Sequence, residues 1–384
     1  MWSSVDKLSD ECVYDLTGFK TVDAARNEYD VVGGDVLFSR VPRHSAMIDM
    51  TMSKPALDHL LRRYPDLQEE LQEAAGELFA EMTGLSQPKR NQGRRKKVDD
   101  FHLFLIPLIT VHSGFAHWVM ELVPGIRISR THFSTLLQNA TPIVVEKWVP
   151  RWYTRRSVTW LKKYCGGCFN GQNFDILLFV DAFDLRIEKS GDMLQQAMYY
   201  SDKIKTHATR SVVVSNAQEW IIFKTSLCGT AVIKFDEVPI FLDSGFLDDL
   251  ETAISDEGNN VSVGIVADRA YYDLGVLAEN WPKNSKMSLS VFHPHFIQGV
   301  PGKRGRPSKK QEAQRLKRKH LDKYELDFDR KLTSVRWVIE KAIGAVQHSR
   351  FFQNRVELPS LHLADDYLSI ACAQANYKKD VPLE

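Results

Sequence analysis

The chain has few cysteines, no long hydrophobic run and almost no net charge, and these shortages exclude several classes of protein. Its five cysteines among 384 residues are too few and too irregularly spaced for a disulfide scaffold, which indicates a reducing compartment. No stretch approaches the roughly 18 consecutive apolar residues of a membrane span. The first residues, MWSSVDKLSDE, lack the basic segment and apolar core of a secretory signal. We therefore expect neither a membrane span nor a secretory signal.

The net charge of +1 does not indicate a nucleic-acid partner, but the distribution of charge does. Residues 89–97 carry six basic side chains and no acid, and residues 303–319 carry nine basic side chains and one glutamate. Runs of like charge are usually solvated or flexible. Each run is therefore either a linker or a phosphate-contacting segment, and the first is also compatible with a nuclear-import patch.

Helical periodicity appears from about residue 53, whereas residues 1 to about 55 show no clear period. Apolar residues recur every three or four positions across 53–85, which predicts two helices. Between 101 and 149, two helical patterns flank a break at 123–125 and give the outline of a helix-turn-helix. The second helix would place Arg130 and His132 in a DNA groove. Plain helical packing explains the same outline.

Residues 147–164 interleave tryptophans and tyrosines with basic side chains, including Arg155 and Arg156. Basic groups hold phosphates and aromatic faces stack on exposed bases, so this composition suits the binding of single strands or strand ends. An amphipathic helix with an aromatic core and a basic outer face explains it equally well. The next segment, Cys165-Gly-Gly-Cys168, has no second ligand pair at matching spacing, so we interpret it as a glycine turn and not as a zinc site.

The rest of the chain alternates strand and helix patterns. The predicted elements are strands at 176–181, 211–214 and 220–223, a helix at 239–250, strands at 261–267 and 288–292, and a helix from about 331. The runs at 176–181 and 261–267 are of the fully buried type, and those at 211–214 and 220–223 are expected to pair across a short turn. Together these elements predict an α/β fold with a mixed sheet flanked by helices.

Four carboxylates in this half of the chain lie in settings that suit a divalent metal. Asp181 and Asp268 each end an apolar strand pattern, Asp236 opens a helix-like segment, and Glu340 lies in the late helix. Mg²⁺ and similar ions prefer oxygen ligands, and a pair of them stabilises the charge that develops when a phosphodiester is cut. Each acid alone also has an ordinary explanation as a strand end, as a helix cap or, for Glu340, as the partner of Arg336 one turn earlier.

Three blocks carry a resemblance to a known family. They are 235–250 (FDEVPIFLDSGFLDDL), 266–271 (VADRAY) and 332–344 (LTSVRWVIEKAIG). These blocks resemble those of the DDE-type transposases and derived endonucleases of the PIF/Harbinger superfamily. Segments 200–209 and 370–376 extend the resemblance, so that it covers about 170–378.

The resemblance implies a ribonuclease-H-like fold that binds DNA and cleaves or transfers phosphodiester strands. It implies that Asp181, Asp268 and Glu340 are the catalytic triad, with Asp236 a nearby fourth acid, and that two Mg²⁺ or Mn²⁺ ions bind there. We favour Asp268 over Asp236 for the middle position because a buried strand would hold Asp268 rigidly. The resemblance also implies a nuclear location, a Myb-like partner protein and possible homo-oligomers.

Four positions depart from the family pattern. Ala182, Phe235, Ala270 and Gln347 stand where the family usually has Gly, Ser, Gly and Lys. These departures motivate an alternative function, a transposase-derived DNA-binding or scaffold protein without catalytic activity. A hydrolytic nuclease that never joins strands is a third hypothesis.

The basic segment 299–325 contains KRGRPSKK at 303–310, whose Arg-Gly-Arg-Pro core looks like an AT-hook. In such a hook an extended backbone lays arginines into a narrow A·T-rich minor groove. Its candidate DNA contacts are Arg304, Arg306, Lys309 and Lys310. The predicted organisation is a helical N-terminal region with a basic linker (1–97), a DNA-binding region of helix-turn-helix type (98–165) and a nuclease domain with a basic insertion (166–384).

Overall fold

A computed structural model of the chain describes residues 19–32, 100–113, 130–153, 156–230, 237–295 and 321–382. The predicted helices within 53–85, the break at 123–125 and both basic runs lie outside these residues. The described residues form two compact units, one made of those up to Tyr153 together with those from Val346, and the other made of those within 154–345. The domain limits predicted at 97 and 165 stay predictions.

The described part of the chain contains α-helices, short 3₁₀ helices and strands. The helices are α1 (Val22–Val31), α2 (Asp100–Ser113), α3 (Arg130–Lys147), α4 (Val149–Trp152), α5 (Val158–Cys165), α6 (Met193–Tyr199), α7 (Glu237–Asp243), α8 (Phe246–Glu257), α9 (Tyr272–Glu279), α10 (Lys323–Gln347), α11 (Arg350–Gln353) and α12 (Ala364–Lys378). The 3₁₀ helices are Arg269–Tyr271 and Leu358–Leu363. The strands are β1 (Gly167–Phe169), β2 (Gln172–Phe174), β3 (Ile176–Arg186), β4 (Tyr200–Ser201), β5 (Thr206–Ser215), β6 (Ile221–Lys224), β7 (Cys228–Gly229), β8 (Val261–Ala267) and β9 (Met287–Phe292). Among the residues described, none of the helices combines the length and the apolar composition that a membrane crossing needs.

The first unit is helical and packs around aromatic side chains. Phe19, Phe104 and Trp148 are fully buried. The ring centroid of Phe19 lies 6.2 Å from that of Phe104 and 5.9 Å from that of Trp148, and Tyr377 of α12 lies 5.1 Å from Phe19. Large buried rings contribute most of the apolar area that a core removes from water. This cluster therefore joins α2, the junction between α3 and α4, and α12 into one core.

A buried carboxylate ties α1 to the residues around α4. Glu28 accepts hydrogen bonds from the indole nitrogens of Trp148 and Trp152, each at 3.0 Å, and the guanidinium of Arg151 lies 3.2 Å from the same carboxylate. An ionised group is stable out of water when charged and polar partners satisfy it. The sequence separates Glu28 from these partners by about 120 residues, so their meeting is a property of the tertiary structure.

We expect Glu28→Ala to lower the free energy of unfolding of the first unit by about 2–3 kcal/mol, because the buried indole N–H of Trp148 and the half-buried one of Trp152 lose this acceptor and Arg151 loses an ion-pair partner. Denaturant unfolding followed by tryptophan fluorescence measures the change. Asp30→Asn, at an exposed position of the same helix, is the matched control and should stay within about 0.5 kcal/mol of wild type. Equal stability of the two variants would contradict this role of Glu28.

The aromatic residues of the 147–164 stretch pack inward. Trp148 and Trp160 are both buried. In the second unit, Trp160 lies 4.9 Å from Tyr164 and 6.0 Å from Trp220, measured between ring centroids. Trp148 and Trp160 are therefore core side chains, as the packing alternative expects, whereas Trp152, Tyr153 and Tyr164 are half-buried.

The second unit is built on a mixed sheet of seven strands in the order β4-β5-β3-β8-β9, with β6 and β7 also paired to β5. β3, β8 and β9 are parallel, whereas β3 and β5 are antiparallel. Parallel strands covered by helices read as continuous apolar runs, and β8 is buried at six of its seven residues. The predicted mixed α/β sheet, the strand at 261–267 and the pairing of β5 with β6 are confirmed.

Two predicted helices have different limits in the structure. The helix pattern at 239–250 is two helices, α7 and α8, and Gly245 between them has a φ of 71°, a conformation that favours glycine. The late helix begins at Lys323 and not near 331. Asp322 and Glu325 explain this start, because each side chain accepts a hydrogen bond from the backbone N–H of the other. Such a reciprocal cap stabilises the first turn of a helix.

Candidate active site

Asp181 lies within β3, although the sequence predicted it at the strand end. The parallel pairing of β3 with β8 stops at Val180 and Ala267, whereas the antiparallel pairing with β5 continues to Arg186. The apolar run of the sequence indicated only the first part of β3, because Asp184 and Arg186 alternate with apolar residues in the second part. Asp181 is thus the first residue of β3 beyond the parallel part of the sheet. Its side chain is 18% exposed, and one carboxylate oxygen accepts a hydrogen bond from the N–H of Ala182 at 2.8 Å.

Asp268 directly follows β8, as predicted. Because Ala267 pairs with Val180, Asp268 reaches the same level of the sheet as Asp181 on the neighbouring strand. Its Oδ1 accepts a hydrogen bond from the N–H of Arg269 at 2.6 Å and caps the 3₁₀ helix Arg269–Tyr271. The cap fixes the carboxylate at the end of a rigid strand.

Glu340 reaches the same place from α10, together with Arg336. Arg336 Nη1 lies 3.2 Å from Asp268 Oδ1, and Nη2 lies 3.7 Å from both Asp181 Oδ2 and Glu340 Oε1. The ion pair between Arg336 and Glu340, which the sequence offered as the ordinary explanation for Glu340, is present. The same guanidinium also contacts the other two acids. Three carboxylates from distant parts of the chain therefore converge on one cation.

The pKa of Asp181 is raised to about 6 in this setting, chiefly by burial. The N–H of Ala182 and the charge of Arg336 lower it, whereas the negative charges of Glu237 and Asp268 raise it. Like charges that share a site disfavour the ionised form. A carboxylate held in this way gains from any further positive charge, and this is a property expected of a cation ligand.

We expect the metal-free protein to lose stability as the pH rises from about 4 to about 6, and Asp181→Asn to remove this loss. The pKa of Asp181 in the folded protein lies above its usual value of 3.8, so the folded state binds this proton more tightly than the unfolded state does. The stabilisation from the bound proton is complete below pH 3.8 and is lost as the pH passes about 6. Two pKa units correspond to roughly 3 kcal/mol. Denaturant unfolding of wild type and Asp181→Asn in EDTA across this pH range measures the difference between their free energies of unfolding. The contributions of all other titrating groups are common to both proteins and cancel. Parallel pH curves would contradict the raised pKa.

A second charge network borders the acids. Glu237 is almost fully buried at the start of α7, and its Oε1 lies 3.1 Å from Lys203 Nζ and 3.9 Å from Arg210 Nη1. Arg210 in turn holds Asp184 with two hydrogen bonds of 2.6 and 3.2 Å. Two cations and two anions therefore alternate within the fold. Since the charge of Glu237 acts on Asp181, this network sets part of the field at the site.

The hydroxyl of Tyr271 is buried beside these acids. Burial raises its pKa well above the usual value, and the charges of Glu237 and Asp181 raise it further. Within the described part of the chain this hydroxyl has no hydrogen-bond partner. A buried polar group without a protein partner is uncommon in native proteins, and water or a bound ligand can satisfy it.

The donor set fits a hard divalent cation. Asp181, Asp268 and Glu340 offer only carboxylate oxygens, the ligands that Mg²⁺ and Mn²⁺ prefer, and they already share a cationic partner. As the side chains stand, however, no three acidic, imidazole or thiol groups of the described residues are gathered closely enough to hold one ion. The positive charge at this point is the guanidinium of Arg336.

Comparison with known proteins identifies the family of the chain. The family model of the DDE superfamily endonucleases matches residues 180–376, just over half of the chain. The chain belongs to the DDE superfamily endonucleases. A cryo-EM structure of a piggyBac transposase synaptic complex with hairpin DNA is similar at 9% identity, covering 76% of this chain and 68% of that chain with a TM-score of 0.39. No curated protein matches the sequence.

Most of the predicted DNA contacts of this DDE superfamily endonuclease lie outside the described residues. These are Arg155, Arg304, Arg306, Lys309 and Lys310, and the predicted fourth acid Asp236 lies outside them too. Arg130 begins α3, and His132 lies in its first turn, but their side chains are likewise outside the description. Arg156 is buried, with its guanidinium 5.0 Å from the ring centroid of Trp160. All of these roles stay predictions.

Sequence reasoning about this DDE superfamily endonuclease missed Glu237 and Tyr271 as residues of the site. It also missed the contacts of Arg336 with Asp181 and Asp268. Glu237 stood beside Asp236 in a recognised block, and its place on the buried face with Val238 and Phe241 was a usable signal. Nothing in the sequence indicated an unpaired hydroxyl at Tyr271. The spacing of Arg336 and Glu340 predicted their pair, but contacts with two other segments cannot be read from helical spacing.

Proposed function

We propose that this chain is a metal-dependent DNA endonuclease of transposase type. The observation that carries the proposal is the convergence of Asp181, Asp268 and Glu340 on one cationic group within 3.2–3.7 Å. Family membership supports a phosphodiester substrate. DNA is the substrate class that the recognised sequence blocks favour.

Each part of the site has a distinct role in this proposal. Asp181 and Asp268 would hold two Mg²⁺ or Mn²⁺ ions between them, and Glu340 would complete one of the sites. Bound ions of this kind activate an attacking water or 3′-hydroxyl and stabilise the charge of the leaving oxygen. β3 and the cap at Asp268 fix two carboxylates before substrate binds, which lowers the cost of ordering them. Asp236 stays a proposed fourth ligand.

The finer identity is also a proposal. The three recognised blocks favour the PIF/Harbinger type, which would bring a nuclear location, a Myb-like partner and assembly into homo-oligomers. The helix-turn-helix region with Arg130 and His132 and the basic segment with Arg304 and Arg306 would hold DNA. Short inverted repeats that flank the coding region would support a mobile element, and their absence would favour a gene derived from one.

The test is cleavage of supercoiled plasmid by the purified full chain. We expect nicked and linear products with Mn²⁺ or Mg²⁺ and none with EDTA or Ca²⁺ alone. A labelled oligonucleotide with a free 3′-hydroxyl reports strand transfer in the same reaction and separates a transposase from a hydrolytic nuclease. If the protein binds DNA but cleaves it with none of the metals, the proposal that it is an endonuclease is rejected.

A second candidate function is DNA binding or scaffolding without chemistry. The observation that favours it is that the guanidinium of Arg336 lies within 3.2–3.7 Å of all three carboxylates, so that they share a positive partner from the chain itself. If the charge of Arg336 is enough to stabilise the three acids, the protein keeps its fold without binding a metal and therefore without cleaving DNA. The plasmid assay distinguishes the two candidates, because only the enzyme produces nicks.

A further inference from the structure

We propose that Arg336 is the resident counter-cation of the acidic site, and that a divalent metal binds there only when this guanidinium withdraws from the carboxylates. The inference rests on the proposed function, because it concerns the same three acids. It adds a residue that opposes metal binding from within the site. Metal loading and the movement of Arg336 then form a single coupled step.

The geometry makes the guanidinium and a metal alternatives. Arg336 faces Oδ2 of Asp181, Oδ1 of Asp268 and Oε1 of Glu340, which is one oxygen from each acid. Mg²⁺ needs its oxygens at about 2.1 Å. The guanidinium keeps the same oxygens at 3.2–3.7 Å from its own nitrogens. An ion at this point would therefore take the position and the partners of Arg336.

Charge leads to the same conclusion. A guanidinium stays protonated at every pH at which proteins fold, so Arg336 cannot release the acids by losing a proton. A positive group held within about 4 Å of a cation's ligands repels that cation. The guanidinium must move if the ion is to gain the full attraction of the carboxylates.

Arg336 is held loosely enough to move. Only its contact with Asp268, at 3.2 Å, is a hydrogen bond, because the two contacts at 3.7 Å are too long. Its Nε is buried and has no hydrogen-bond partner within the described part of the chain. Arg210 is a contrast, since it holds Asp184 with two short hydrogen bonds and also lies beside Glu237. The weakly held arginine is thus the one that lies where a metal would bind.

The side of the site that Glu340 forms faces solvent, whereas the side chain of Arg336 is 19% exposed. The side chain of Glu340, one helical turn after Arg336, is 61% exposed. A long arginine side chain reaches water while its stem stays packed. Withdrawal therefore needs a change of rotamer and no change in α10.

The test is a titration of the full chain with Mn²⁺ alone, with free Mn²⁺ measured by its EPR signal. We expect Arg336→Gln to bind Mn²⁺ about tenfold more tightly than wild type, within the range that coupling between two sites usually gives. Arg330→Gln is the matched control on the same helix, because Arg330 is exposed and pairs only with Asp327 among the described residues. It should bind Mn²⁺ as wild type does.

The outcomes separate this inference from the proposed function. Unchanged or weaker binding by Arg336→Gln, with Mn²⁺ binding to wild type intact, would overturn the inference and leave the metal site standing. No saturable Mn²⁺ binding by either protein would overturn both. If Arg336→Gln does not fold, Arg336→Met carries the test, because it removes the charge and keeps much of the side-chain volume. Tighter binding by Arg336→Met supports the inference, and equal or weaker binding overturns it.

Discussion

Asp181→Asn is expected to lower the rate of Mn²⁺-dependent strand cleavage by about a thousandfold. An amide keeps the shape of the side chain but removes the negative charge that holds a cation. Metal ions supply several kcal/mol of transition-state stabilisation, and each 1.4 kcal/mol or so corresponds to a factor of about ten in rate. Single-turnover cleavage of a labelled duplex, with wild type and variant at saturating Mn²⁺, measures the effect.

The matched control is Asp175→Asn, in the residue just before the same strand. Asp175 accepts hydrogen bonds of 2.8 Å from the N–H and the hydroxyl of Ser262, so it contributes to stability but lies outside the acid site. We expect it to cleave at the wild-type rate. Loss of activity in Asp181→Asn would not reflect unfolding, because Asp181→Asn should be more stable than wild type at neutral pH. Undiminished cleavage by Asp181→Asn would show that the catalytic assignment is wrong.

Arg210→Met is expected to lower the free energy of unfolding of the second unit by about 3–5 kcal/mol, the range for removing one partner of a buried ion pair. Its loss leaves Asp184 and Glu237 as buried anions with one remaining cation, Lys203, beside Glu237. Methionine fills much of the same volume, so the effect measures the charge and not a cavity. Urea unfolding followed by far-ultraviolet circular dichroism gives the change.

Lys205→Met is the control for this prediction. Lys205 pairs with Asp202 at 3.2 Å, and both side chains are largely exposed. Exposed pairs contribute between 0 and about 1 kcal/mol, because water screens them. A change of similar size in both variants would mean that the network around Arg210 is not a buried one. A large effect confined to Arg210→Met would show that the buried network around Arg210 stabilises the second unit.

The elements of the sheet could be predicted where a single pattern decides them. β8 is a continuous apolar run because both of its faces are buried, so the sequence predicted its limits correctly. β3 was predicted only to Asp181, because Asp184 and Arg186 interrupt the apolar run beyond it and because the paired residues of β5 lie 22 to 32 residues later in the sequence. The start of α10 was missed because the cap of Asp322 and Glu325 precedes the apolar pattern.

The sequence by itself determined which carboxylates are candidates and which family the chain resembles, because residue types, strand-ending acids and motif spacing are local properties. Only the tertiary structure decided that Asp181 and Asp268 lie side by side on neighbouring strands, since that depends on the register of β3 with β8. It alone also placed Arg336 against three acids and Glu237 beside Asp181. The physical reason is that charges separated by tens of residues interact only after the sheet brings them within a few ångströms.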